Sequence, residues 1–147
     1  MQEERLDRPR WLLYAGIAAI LFGLASLREG AAVLFFDGAS RERAGHYVPF
    51  VVWLNFLAAF AYVAAGLGIA RARRWGARLA AALAVVSALG LVALAVHILA
   101  GGAFELRTPI AMTLRTLFWA LLGWRACTVV GCGLLHRPRL APPIPRP

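Results

Sequence analysis

The chain has 147 residues, 61% of them hydrophobic, a mean hydropathy of +0.70 and only 16% charged residues. Those values exceed ordinary globular composition, and the charges are bunched between long apolar runs, which excludes a soluble domain and points to an integral membrane one. A net charge of +9 would suit nucleic acid, but the basic residues flank hydrophobic spans without any nucleic-acid motif, so no nucleic-acid partner is expected.

Residues 1–10 are polar and of mixed charge. A first span over about 11–36 opens on Trp11 and Tyr14, aromatics suited to a bilayer interface. It is long for a signal-peptide core, and acids precede it, which argues against cleavage. Arg28 and Glu29 interrupt it, but Ala31 to Phe36 is apolar again, so the helix is predicted to run through the pair. Residues 37–46 form a polar loop, and a second span over about 48–70 starts at Val48-Pro49, with Pro at a helix entrance. Asn55 is its strongly polar residue.

Arg71, Arg73, Arg74 and Arg78 mark a basic turn before a third span over about 77–100. His97 lies near the end of that span, and a Gly-rich turn carrying Glu105 and Arg107 follows. Thr108-Pro109 reads as an N-cap and first helical residue, opening a fourth span over about 109–135. Arg115 then lies roughly 10 Å inside that helix, opposing its dipole and calling for an anion nearby. Residues 136–147 form a Pro/Arg-rich tail, predicted to be extended.

Counting arginines orients the chain. The N-terminal segment carries three, the 71–78 turn four and the tail three, whereas the two opposite loops carry acids that offset theirs. The positive-inside rule then predicts an all-α antiparallel four-helix transmembrane bundle in the lipid bilayer, with both termini cytoplasmic. Small residues recur every fourth position at Ala15, Ala19 and Gly23, at Ala80, Ala84 and Ala88, and at Gly123, Cys127 and Gly131. Such stripes allow close helix approach inside the bundle; a homodimer or a membrane-protein partner is the alternative use of the same surfaces. On a continuous fourth helix Cys127 and Cys132 would stand about 140° apart, so they are predicted not to pair.

Depth can now be assigned to the polar groups. Glu29, Asn55, His97 and Arg115 fall toward the non-cytoplasmic ends of their spans, beside His46, Glu105 and Arg107 in the adjoining loops. Charged residues in spans cost roughly 2.5–3.5 kcal/mol each and usually face the bundle or a wet cavity. The matching depth predicts a polar pocket lined by Glu29, Asn55, His97, Glu105, Arg107 and Arg115. Two readings stay open: ion pairs such as Glu29–Arg115 and Glu105–His97 or Glu105–Arg107 that fasten helix ends, or a site for a small polar, anionic or quinone-like ligand. Arg125 has no acid at its depth and either snorkels to the cytoplasmic face or meets a lipid headgroup or partner subunit.

No cofactor or metal is indicated. His46, His97, Glu29 and Glu105 lack ligand spacing, only His97 is intramembrane for haem, and there is no CxxC. Ser26 and Ser87 have no base at their depth, so no catalytic set emerges and an enzyme is not expected.

Two strings, Val48 to Phe56 and His97 to Thr116, together with the four-span layout, resemble a group of small, uncharacterised bacterial inner-membrane proteins. The layout is similar to DoxX-like four-helix proteins in architecture alone. The resemblance covers about residues 11–124 and implies an inner-membrane location but no activity. The expected role is an accessory or assembly protein acting through its helices and outer polar face, with a ligand binder or carrier as the alternative.

Overall fold

The computed structural model describes residues 9–36 and 38–132. They form α1 (Arg10–Phe35), α2 (Ala39–Ala44), α3 (Pro49–Ala70), α4 (Arg74–Leu99) and α5 (Arg107–Val130). α1, α3 and α4 are long and apolar enough to cross a membrane. α5 has 24 residues, about 36 Å of helix, but Arg115, Arg125 and its threonines hold it below that apolarity. α1 runs unbroken through Arg28 and Glu29, and Pro49 occupies the first turn of α3, both as the sequence predicts. The 37–46 loop contains the short α2, and α4 starts three residues before its predicted span, inside the basic turn.

Small residues decide how the long helices meet. A Cβ on Gly16 would fall 2.6 Å from the Cβ of Ala70, one on Gly23 2.8 Å from Val63, and one on Gly30 3.0 Å from Phe56. Those contacts run in opposite directions along α1 and α3, so the two helices are antiparallel and nearly backbone to backbone. α3 and α4 meet likewise where Gly68 faces Gly76, and α5 lays Gly123 on Ala80 and Ala81 of α4. The contact row of α1 is therefore Gly16, Ala19, Gly23 and Gly30, with Ala15 only half-buried. Gly16→Leu is expected to lower stability by about 1–3 kcal/mol, because the Gly66 carbonyl also lies 2.6 Å from the added Cβ. Unfolding in mixed micelles measures this; an unchanged midpoint would contradict the close approach of α1 to α3.

The helices pack in a chain, α1 on α3, α3 on α4 and α4 on α5, while α1 and α5 barely touch. Side chains bridge that seam: the Phe22 ring lies 5.3 Å from Phe118 and 6.5 Å from Trp119. The larger core includes Tyr62, Ile69, Leu83 and Trp119; a smaller one, nearer the α2 end, joins Val48, Val51, Leu94 and Met112.

Both ends of α5 correct the sequence reading. The helix begins at Arg107, after Leu106, with no side-chain cap; the Thr108 amide is already satisfied by the Glu105 carbonyl at 2.8 Å, so Thr108 is not the cap. At the far end α5 stops at Val130, because Gly131 adopts φ +69°, a left-handed C-terminal turn that glycine enters without a Cβ clash. The Cys127 carbonyl accepts from both Gly131 and Cys132, and the chain doubles back. Cys127 and Cys132 come within 4.9 Å at Cα and form a disulfide, contrary to the expectation that they do not pair. The 140° separation presupposed a straight helix to residue 135. Arg74 donates to the Val130 carbonyl at 3.1 Å and Arg78 to that of Cys132 at 3.2 Å, cations placed against a helix C-terminus. The predicted tail at 136–147 and the segment at 1–8 lie outside the described residues.

Candidate functional site

A cavity of about 520 Å³ opens at the α2 end between α1, α3 and α5. α1 contributes Arg28 and Glu29, the α2 segment Arg43, α3 Asn55, and α5 Arg107 and Arg115. Four of the six residues singled out from sequence therefore share one cavity: Glu29, Asn55, Arg107 and Arg115. The other two do not line it. His97 turns its Nε2 to the Ala103 carbonyl at 3.2 Å, with its ring edge-on to Phe50, and so closes the turn between α4 and α5 around Gly102. Glu105 accepts from the His46 amide at 3.1 Å and lies 3.7 Å from the His46 ring, tying the loop before α3 to the start of α5.

Of the ion pairs expected at the helix ends, Arg28–Glu29 forms, whereas Glu29–Arg115 and Glu105 with His97 or Arg107 do not. Glu29 lies 3.7 Å from its neighbour Arg28, both side chains largely exposed, so the pair contributes little. Glu105 pairs with His46 instead of His97 or Arg107. Arg107 donates to the Arg43 carbonyl and Arg43 to the Ala39 carbonyl, so neither meets a carboxylate among the described residues.

Arg115 is the unusual member. It lies eight residues into α5, about 12 Å along the axis, and extends toward Phe22, which sits halfway along α1. Its guanidinium carbon lies 5.3 Å from the Phe22 ring centre and 5.9 Å from that of Tyr62, within cation–π range. Its other partners are neutral and distant: Ser26 Oγ at 3.5 Å and Met112 Sδ at 3.9 Å. Its Nε is buried without any hydrogen-bond partner. The indole N–H of Trp119, one turn further along α5, is buried and unpartnered as well. Phe22, Ser26, Tyr62, Met112 and Arg43 escaped the sequence reading. Phe22 and Ser26, four apart on α1, offered the one legible signal, an aromatic and a hydroxyl on a single helix face.

A second cavity, of about 560 Å³, lies along the same seam toward the disulfide end and is lined by Trp11 of α1 and by Phe118, Leu121, Leu122 and Arg125 of α5. Arg125 is exposed there and has no ionic partner among the described residues.

Chemically, the first cavity offers four guanidinium groups against one carboxylate, with one guanidinium deep and unneutralised. That set stabilises negative charge. It contains no base hydrogen-bonded to a nucleophile, and among the described residues no three His, Cys, Asp or Glu side chains converge as metal ligands. No protein-family model matches this chain, and neither does any curated protein or solved structure, so the character of the cavity rests on its own geometry.

Proposed function

We propose that the chain is a four-span antiparallel bundle of the bacterial inner membrane, with both termini cytoplasmic, that binds an anionic group in the cavity around Arg115. α5 is read as the fourth span because its 24 residues are long enough and it packs along α4, itself long and apolar enough to cross a membrane. Arg115 carries the functional reading. A cation within an apolar helix layer is costly and ordinarily finds a carboxylate. Among the described residues this one has only two rings, a hydroxyl and a thioether, and its Nε has no acceptor. An anion entering the cavity would complete that set, with Arg43 and Arg107 at the mouth raising its local concentration.

A purely fastening role would pair Arg115 with an acid on another helix, and none of the described acids does so. The test is thermal unfolding in a non-ionic detergent, with inorganic phosphate compared against chloride at equal ionic strength. At ten times its Kd, phosphate should stabilise by about 1.4 kcal/mol. Arg115→Met should abolish that increment. An identical phosphate response in parent and variant would defeat the proposal.

A further inference from the structure

Resting on that anion site, we infer that its ligand is a membrane-resident amphiphile, with an acidic headgroup in the Arg115 cavity and a hydrocarbon chain along the α1–α5 seam. Three observations converge. The backbones of α1 and α5 stay apart, and the seam between them is spanned by side chains alone, Phe22 reaching Phe118 and Trp119. Two separate cavities border that seam, the basic one toward α2 and, toward the disulfide, one bounded by Trp11, Phe118, Leu121 and Leu122 that is apolar except for Arg125 and Thr128. Arg115 and Phe118, both reaching across to Phe22, stand between the two, so a chain held at Arg115 passes along the outer side of these half-buried rings to reach the second.

Charge and length fit this occupant. A soluble anion drawn to Arg115 would have to leave water for a site walled by Phe22 and Tyr62. An amphiphile arrives with its chain already in the apolar layer and exchanges only the headgroup's surroundings. From Arg115 to Val129 the seam is fourteen residues, or about 21 Å, more than the roughly 15 Å of one leaflet, so a long chain lies fully within it. The seam itself does not attract the chain, since bilayer lipid is equally apolar. The headgroup on Arg115 holds it there, and chain occupancy should therefore vanish with Arg115.

The experiment uses dodecyl phosphate carrying a terminal photoreactive diazirine, added to the full chain in lipid nanodiscs, with cross-linked positions mapped by mass spectrometry. Label should concentrate at least fivefold on Trp11 and on residues 121–129 relative to the lipid-facing Val85, Leu89 and Val92 of α4, which are exposed in the structure. Unlabelled dodecyl phosphate should displace it, and Arg115→Met should remove it. Leu121→Trp, at an exposed position away from the basic cavity, should block the seam label yet keep the thermal response to inorganic phosphate. Label spread evenly over α4 and α5, with the phosphate response intact, overturns the amphiphile and leaves a soluble anion as ligand. Seam label that survives in Arg115→Met also overturns it. Absence of both the phosphate response and the seam label in the unsubstituted protein overturns the anion site as well.

Discussion

Arg115→Met is expected to make the ligand-free protein more stable by about 1–2 kcal/mol, even as it removes the response to anions. With the helices apart, the Arg115 guanidinium can snorkel to headgroups and water, and enclosing it with its Nε unpartnered among the described residues gives up those contacts. The rings of Phe22 and Tyr62 return about 0.5–2 kcal/mol through cation–π attraction, and the contacts to Ser26 and Met112 are too long to return much more. Methionine keeps the unbranched stem and removes the charge. Thermal melts in detergent without phosphate measure the change, which should appear as a rise of a few degrees. A fall would mean that Arg115 fastens the helices, and the anion site would lose its main support. Stability exchanged for a charged group in this way is the ordinary signature of a binding residue.

The second large effect concerns Trp119. Its side chain is fully buried, with ring centres 4.7 Å from Tyr62, 5.2 Å from Phe118 and 6.5 Å from Phe22. Trp119→Ala is expected to cost about 3 kcal/mol, the lower end of the range for such truncations. In lipid the unfolded helix stays in an apolar solvent, so lost packing and the cavity dominate over transfer. Trp119→Phe separates ring from polar atom. It keeps most of the packing and deletes an indole N–H that has no acceptor, so it should cost less than 1 kcal/mol. Denaturation midpoints of the two variants provide the check. A Phe variant as damaged as the Ala variant would show that the N–H has a partner.

Apolar runs made the long helices legible, since each must satisfy its own backbone in an apolar layer. The entry of Pro49 and the passage of α1 through Arg28-Glu29 followed from local chemistry. That Glu29, Asn55 and Arg115 share one cavity was legible for a related reason, because residues at matching positions along antiparallel helices stand level with one another. What the sequence hid was angular and terminal. Whether His97 faces the cavity or its own turn depends on where α4 stops, at Leu99, and on the fold of Gly101-Gly102. Whether Cys127 and Cys132 meet depends on one left-handed glycine. The surroundings of Arg115 come from α1 and α3, and its own helix pattern contains nothing to announce Phe22 or Tyr62.

The Cys127–Cys132 bridge sits beside the basic turn, where Arg74 and Arg78 grip the last carbonyls of α5. Two of the arginines on which the proposed orientation rests thus have a local task, holding a neighbouring helix end. Arginine-rich ends belong in the cytosol, where glutathione keeps thiols reduced, whereas a closed bridge belongs on the oxidising side. The bridge in the structure therefore pulls against the orientation proposed from the arginines, and the oxidation state of the pair in living cells decides between them: free thiols keep the loop inward, whereas a bonded pair turns the whole protein over and points the Arg115 cavity at the cytosol.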